Sequence, residues 1–195
     1  MSGEGNFGRF STRHAGGDYW SIKITQTGDV VWSRFYGGSF TDNPAEVLET
    51  ASNNLIIVGG SDSNDVDITN NKGSYDFWVV KSTKDGDIIW EKSFGGSEID
   101  EARGIVSSGD GNHVIVGDTR SNEQDVSLNN GAADIWFVKI SGNGEVLWNS
   151  SIGGSNFDVG RSIDLTFDGG FIIVGSSRSS DGDVLQNQGQ NDAWI

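Results

Sequence analysis

One stretch of this sequence recurs at a fixed spacing along the chain. The segment DFWVVK at 76–81 is followed by GDIIW at 86–90. Related stretches begin at Asp18, Asp134 and Asp192, so that each copy starts 58 residues after the previous one. A period of this length, kept without insertion or deletion, is typical of repeat architectures, in which each unit packs mainly against its neighbours.

Each unit contains four short stretches that predict β-strands. In the first unit they lie at 19–25, 29–35, 45–50 and 54–60, and the first alternates apolar and polar residues. That alternation has the period of two expected of a strand, and no segment has apolar residues at helical spacing. The 29 glycines against one proline agree with many turns between short strands. We therefore expect an all-β chain.

We interpret the four antiparallel strands of one unit as one blade of a β-propeller, with a linear β-solenoid as the alternative. The polar stretch 61–75 is then the link to the next blade. The single repeat-array domain 1–195 divides into a degenerate partial repeat at 1–17, blade units at 18–75, 76–133 and 134–191, and the start of a fourth unit at 192–195. Because closed propellers have about four to eight blades, we expect further blades from missing sequence or from another chain.

Tryptophan recurs at two positions in every unit, and a glycine precedes the second one by four residues. Large aromatic side chains are typical of packing between blades; stacking of a tryptophan rim on sugar rings is the alternative. The residues assigned to blade packing are Trp20, Trp32, Trp78, Trp90, Trp136, Trp148, Gly28, Gly86 and Gly144. Lys23 and its repeats Lys81 and Lys139 lie on the opposite strand face, and we expect them to pair with recurrent aspartates.

A Gly-Gly-Ser sequence follows the second strand of each unit, and an aspartate follows the serine by three residues. In the first unit these are Gly37, Gly38, Ser39 and Asp42. We expect the glycines to supply positive φ angles at a tight turn and the aspartate to accept hydrogen bonds from turn amides.

Acidic side chains are concentrated in the long polar connections. The recurrent candidates for a Ca²⁺ site are Asp65, Asp67, Glu123, Asp125, Asp181 and Asp183. Calcium takes six to eight oxygen ligands, but the bidentate glutamate and the fixed spacing of an EF-hand are absent. The alternative is a solvated acidic loop stabilised by Asx-turns. We expect no cofactor, with Ca²⁺ as the one candidate.

The sequence contains no recognisable catalytic motif. Its two histidines, His14 and His113, occupy different positions in the repeat and fit neither a metal-ligand spacing nor a triad. Acids repeated in every unit favour a structural role over a glycosidase-like pair. We therefore expect no enzymatic activity, and no ligand-binding residues are assigned.

Charge and composition exclude some partners. The formal charge of -15 disfavours nucleic acid, which requires clustered Lys and Arg. No apolar run is long enough to cross a membrane, and no secretory signal is visible at the N-terminus. The absence of cysteine excludes disulfides and thiol chemistry.

The assembled pattern resembles the SBBP-type bacterial β-propeller repeat and the repeat arrays of surface proteins in Bacteroidetes-type bacteria. The residues that carry the resemblance are Asp76, Trp78, Lys81, Gly86, Trp90, Gly95, Gly96, Ser97, Asp100 and the strand at 114–117. It covers 18–195 and implies an extracellular or surface-attached propeller without catalytic residues. The Gly-x-x-x-Trp element is also similar to the tryptophan-docking motif of quinoprotein propellers, although no quinone ligand set accompanies it.

These observations predict a non-catalytic scaffold or adhesion module of a secreted or cell-surface bacterial protein, with a protein or glycan partner. The alternatives are a quinoprotein-like or hydrolytic propeller enzyme and a calcium-stabilised structural array. An incomplete ring leaves unpaired sheet edges, which favour pairing with another chain. We expect a dimer of about six blades, or a longer open assembly.

Overall fold

The computed structural model describes residues 16–187 and 189–195. Within them it contains thirteen β-strands and no helix, which confirms the all-β prediction. The strands are β1 Tyr19–Ile24, β2 Val30–Tyr36, β3 Asp42–Glu49, β4 Leu55–Ser61, β5 Asp76–Ser82, β6 Ile88–Phe94, β7 Asp100–Ser107, β8 His113–Thr119, β9 Asp134–Ile140, β10 Val146–Ile152, β11 Asp158–Leu165, β12 Phe171–Ser177 and β13 Asp192–Trp194. The interpretation of 1–15 as part of a degenerate repeat lies outside the described residues.

The strands form four antiparallel sheets. Their orders are β1-β2, β3-β4-β5-β6, β7-β8-β9-β10 and β11-β12-β13. The four-stranded sheets therefore extend over 42–94 and 100–152, and they are offset by half a unit from the predicted blade units. The grouping of the four strands of one unit into one blade was wrong. The long connection after β4 joins two strands of one sheet, whereas the short connection after β2 passes to the next sheet.

The tight turns are those that the sequence predicts. Gly28, Gly86 and Gly144 follow the first strand of their units with φ angles of 90°, 86° and 81°, and Gly111 and Gly169 have φ angles of 83° and 84°. Only glycine adopts this region without a steric penalty. Each of these glycines lies in the turn between two paired antiparallel strands.

The first strand of each complete sheet contains a β-bulge. The register of β3 shifts between Pro44 and Glu46, and that of β7 shifts between Ala102 and Gly104. The same shift occurs in β11 between Gly160 and Ser162. A bulge inserts one residue that has no cross-strand partner and changes the direction of its side chain. Ala45, Arg103 and Arg161 occupy these positions.

The sheets pack face to face along the chain, and β7 contacts both β3 and β11. A cluster of buried residues from β4, β5, β8 and β9 fills the space between the two four-stranded sheets. A second cluster joins β1 and β2 to the first four-stranded sheet through Tyr19, Tyr36 and Trp78. The repeated sheets therefore share their cores with their neighbours, as expected of a repeat protein.

Candidate functional site

The acidic residues predicted as calcium ligands bind the Gly-Gly-Ser turns instead of facing one another. Asp65 accepts hydrogen bonds from the Ser39 amide at 2.8 Å and from the Ser39 hydroxyl at 2.6 Å. Asp67 accepts one from the Gly37 amide at 3.4 Å. The repeats keep this arrangement: Glu123 binds Ser97, Asp125 binds Gly95, Asp181 binds Ser155 and Asp183 binds Gly153. The long polar connection thus forms hydrogen bonds with the short Gly-Gly-Ser turn that joins two sheets.

Among residues 16–187 and 189–195, no three His, Cys, Asp or Glu side chains are arranged to hold a metal ion. Hydrogen bonds from Ser97 lower the pKa of Glu123, and those from Ser155 lower the pKa of Asp181. Both carboxylates are therefore ionised and already engaged as acceptors. Calcium binding remains a prediction of the sequence that this geometry does not favour.

Calcium dependence can be tested by thermal unfolding. We expect the melting temperature to be the same in EDTA and in millimolar Ca²⁺, because turn amides already occupy the acidic oxygens. Circular dichroism at fixed ionic strength measures this directly, with Mg²⁺ as the control for non-specific screening of the acidic surface. A melting temperature raised by Ca²⁺ alone would establish the calcium-stabilised array.

A row of buried aspartates lies beneath the same turns. Asp42 accepts hydrogen bonds from the Gly38 amide at 2.7 Å and from the Ser61 hydroxyl at 2.5 Å. Burial raises its pKa. Asp100 and Asp158 accept the equivalent bonds from the amides of Gly96 and Gly154, both at 2.7 Å. The prediction that these aspartates bind turn amides is confirmed.

A second aspartate faces each member of this row, and it is buried in the cases of Asp76 and Asp134. A side chain on Gly95 would come within 2.6 Å of both Asp76 Oδ1 and Asp100 Oδ2. The first glycine of each Gly-Gly pair is therefore required for close packing between two carboxyl groups, and the second for close packing against the long connection. The prediction that they supply positive φ was wrong, since positive φ angles occur at other glycines.

Burial raises the pKa of Asp76 to about 7, and the nearby Asp100 and Asp125 carboxylates act in the same direction, while Lys72 opposes them. The Lys72 Nζ atom lies 2.8 Å from Asp125 Oδ2. In the next unit, burial raises the pKa of Asp134 to about 6.

The first-strand tryptophans occupy different environments although their sequence positions are equivalent. Trp78 and Trp136 are buried, and their rings lie 4.5 Å from Tyr19 and 4.6 Å from Phe77, one sheet earlier. Trp20 is 59% exposed. No earlier sheet among the described residues covers it, and its assignment to packing between blades stays a prediction.

The second-strand tryptophans pack forward along the chain. A side chain on Gly86 would meet the Trp32 ring at 3.4 Å, and one on Gly144 would meet the Trp90 ring at 3.2 Å. A side chain on Gly28 would have no neighbour within 4 Å. The glycine and the tryptophan of one unit therefore do not dock on each other. Trp148, whose forward neighbour is absent from the described residues, is 40% exposed.

Two of the three recurrent lysines also reach forward, and Lys139 reaches back to the turn between β7 and β8. The ammonium group of Lys23 donates to the Lys84 carbonyl at 3.1 Å, and that of Lys81 donates to the Gly142 carbonyl at 2.6 Å. Lys139 alone binds an aspartate, Asp110, at 2.9 Å. The predicted lysine–aspartate pairing was therefore wrong in two of the three units, because each lysine binds whatever the adjacent hairpin turn presents.

His113 lies at the start of β8, where burial lowers its pKa. Its Nδ1 atom has no hydrogen-bond partner among the described residues. His14 lies outside the described residues.

A hollow of about 570 Å³ separates β1 from β3 and β4. Exposed apolar side chains of β1 line it, among them Trp20, Ile22 and Ile24 with 59%, 42% and 60% of their surface accessible. The equivalent strands β5 and β9 are almost entirely buried. Sequence reasoning missed this surface because the residues within one strand do not show whether a neighbouring strand or sheet covers it.

The chain matches no protein-family model and no curated protein sequence. Among solved structures it is similar to a protein of unknown function from Bacteroides caccae, with 11% sequence identity and a TM-score of 0.44. The match covers 80% of this chain, which spans 46% of the length of that protein. No helix among the described residues is long and apolar enough to cross a membrane.

Proposed function

We propose that this chain is a non-catalytic scaffold module of a secreted or cell-surface protein, built from β-propeller blades, that assembles with a second copy of itself along the open edge of β1. The burial of β1 carries the proposal. The apolar side chains Trp20, Ile22 and Ile24 of β1 are exposed. The repeat equivalents of β1 are β5 and β9, which pair along one edge with β4 and β8 and whose apolar side chains are buried. The missing neighbour of β1 is therefore a strand of the same type as β4 and β8.

β12 occupies the same position in the repeat as β4 and β8, and part of its edge is unpaired. β4 pairs with β5 over seven residues, and β8 pairs with β9 over seven. β12 pairs with β13 over three residues only, from Gly175 to Ser177. Ile172 and Val174 are consequently 44% and 39% exposed. We assign β12 of a second copy to the open edge of β1.

The repeat predicts the register of this pairing. Ser61 pairs with Asp76 and Ile57 pairs with Val80 in the first four-stranded sheet. Shifted forward by two periods on the first strand and back by one period on the second, the same register places Ser177 opposite Asp18 and Ile173 opposite Ile22. β1 of the first copy then takes the position of the three-residue β13 of the second copy.

Two copies joined in this way contribute six repeat units, which lies within the range of about four to eight blades in closed propellers. The offset between units and sheets supports this arrangement, because each joint completes one four-stranded sheet from two chains. A longer open assembly follows if the angle between copies does not close the ring.

The proposed location and ligands rest on the resemblance to bacterial surface repeats. Protein or glycan partners would bind the loops, which in repeat proteins vary without disturbing the shared core. The lack of a hydrogen-bond partner for the Nδ1 atom of His113 among the described residues supports a binding role over a catalytic one.

Static light scattering on the 195-residue chain tests the assembly. We expect a dimer or larger species for the wild type and a monomer for Ile22→Lys, because a lysine in the apolar hollow opposes strand pairing. Phe40→Lys is the matched control, since Phe40 is 61% exposed and does not line the hollow. A wild-type chain that remains monomeric at all concentrations would contradict the proposal.

Disulfide trapping tests the register, and the cysteine-free sequence makes the result unambiguous. Directly opposed residues of antiparallel strands have Cβ atoms about 4.5–5.5 Å apart. Oxidation of Ile22→Cys with Ile173→Cys should therefore give covalent dimers. Ile24→Cys with Ile173→Cys, displaced by two residues on the same face, should give far fewer. Equal yields from both variants would rule out the proposed pairing.

A further inference from the structure

Three arginines converge at one hollow on the last described sheets. Its volume is about 290 Å³, and the side chains that carry charge there are Arg120, Arg161 and Arg178. Phe157, Val159, Ser176 and Asn191 complete the lining, which contains no Asp or Glu. This accumulation of positive charge occurs in a chain with a formal charge of -15.

Two of the arginines share one aromatic ring. The guanidinium carbons of Arg120 and Arg178 lie 5.6 Å and 5.9 Å from the centre of the Phe157 ring. The Arg178 amide donates to the Phe157 carbonyl at 2.9 Å, and the Arg120 amide donates to the Ile99 carbonyl at 2.9 Å. Contact with the ring restricts both long side chains, which lowers the entropy lost when their N–H groups bind an anion.

The third arginine is presented by the bulge of β11, where the register shifts between Gly160 and Ser162. Its equivalent one unit earlier is Arg103, at the bulge of β7. Arg103 is neutralised there: its Nε atom lies 2.7 Å from Asp118 Oδ1, and its Nη2 atom lies 2.6 Å from Glu101 Oε2.

Those two acids are replaced around Arg161. The residues one period after Glu101 and Asp118 are Val159 and Ser176, and they face each other across β11 and β12 as the acids do across β7 and β8. The hollow therefore keeps the arginine of the repeat and loses both of its partners.

No ion pair joins Arg161 or Arg178 to an acidic side chain among residues 16–187 and 189–195. Arg120 attracts the Asp118 carboxylate at longer range, but Arg103 already binds that group. Guanidinium groups held together without counter-charges repel one another, and an anion that accepts their N–H groups removes this repulsion.

From this geometry we infer that the hollow binds a multivalent oxyanion, namely a phosphate or sulfate group, held by Arg161 from the bulge and by Arg120 and Arg178 from either side of Phe157. The hollow lies at the lower limit of volumes that hold small molecules, about 300 Å³, which favours a single compact group. The same group occurs as a free ion or as an ester on a sugar.

Calorimetric titration of the 195-residue chain with sodium sulfate and sodium phosphate, at ionic strength kept constant with chloride, tests the inference. We expect saturable binding that Arg161→Gln weakens about tenfold or more, which corresponds to the loss of one charge-assisted interaction. Arg34→Gln is the matched control, because the Arg34 guanidinium carbon also lies beside an aromatic ring, 5.9 Å from the centre of Trp32, but outside the hollow. This variant removes the same charge from the chain and should leave the affinity unchanged.

A second variant keeps all three arginines and restores the acids of the preceding unit. Val159→Glu with Ser176→Asp should neutralise Arg161 as Glu101 and Asp118 neutralise Arg103, and it should abolish anion binding. NMR signals of the arginine Nε–H groups identify which side chains respond to the anion.

No saturable binding by the wild type, or equal weakening by Arg34→Gln and Arg161→Gln, would overturn the inference. Comparing inorganic sulfate with a sulfated monosaccharide and its unsulfated parent identifies the source of the anion. All three arginines and Phe157 belong to one copy of the chain, and none of them lies in β1 or β13, so anion binding and assembly are measured separately.

Discussion

Replacing Trp78 with alanine is expected to lower the free energy of unfolding by about 3–5 kcal/mol, the usual cost of removing a large aromatic side chain from a packed core. Trp78 is fully buried, lies 4.5 Å from the Tyr19 ring and donates a hydrogen bond to Glu91 at 3.1 Å. The loss should appear in denaturant unfolding as a lower midpoint, with exposure of the interface between the first two sheets.

Trp20→Ala is the matched control because Trp20 occupies the same position in the repeat but is 59% exposed. In the monomer it should cost about 1 kcal/mol or less. Both variants should be compared in the Ile22→Lys background, which removes any contribution of assembly to the stability of β1. Equal losses for the two tryptophans would contradict the burial described here.

The stability of this protein is expected to fall as pH rises from about 4 to 7. Burial raises the pKa of Asp76 to about 7 and that of Asp134 to about 6, whereas an unfolded chain has aspartate pKa values of about 3.9. The folded chain therefore binds more protons than the unfolded chain in this range. Its additional stability is complete below the unfolded pKa and is lost as pH rises through the folded values.

We expect the free energy of unfolding to decrease by several kcal/mol between pH 4 and pH 8, with about 7 kcal/mol as the upper limit, since the two shifts total about five pKa units and one unit corresponds to about 1.4 kcal/mol. His113 opposes this trend because burial lowers its pKa. Urea unfolding at a series of pH values provides the measurement.

Variants isolate the two aspartates from the other titrating groups. Asp76→Asn with Asp134→Asn should flatten the profile, because the amide keeps an acceptor for the turn amides and carries no charge. Asp110→Asn is the control: Asp110 is an exposed residue whose pKa is lowered by hydrogen bonds from Ser108, Lys139 and Asn112, so its removal should leave the slope between pH 4 and 7 unchanged. A wild-type stability that rises over this range would contradict the prediction.

Several features of the fold are predictable from neighbours in the chain. Alternation at 19–24 specifies a strand because side chains of a strand point alternately to its two faces. The hairpin at 168–170 is specified by Gly169, which adopts a positive φ. Asp42 binds the Gly38 amide four residues earlier, a contact within the reach of one turn.

The candidate surfaces were not predictable in the same way. The open edge of β1 and the arginine hollow are defined by what is absent beside them: a covering strand for Trp20, and acidic partners for Arg161. A comparison of equivalent positions reveals the second signal, since Val159 and Ser176 replace Glu101 and Asp118, but only the pairing of β7 with β8 identifies those acids as the partners of Arg103.

The sequence by itself determined the period, the strands and the turns, because each depends on residues within a few positions of one another. The tertiary structure decided how the strands group into sheets, placing β3 with β4, β5 and β6 across the boundary between two units. It also decided that Trp78 is buried and Trp20 is exposed. Equivalent positions of the repeat acquire different environments because sheet edges and aromatic faces are covered by residues about one repeat away, and that contact is made through space.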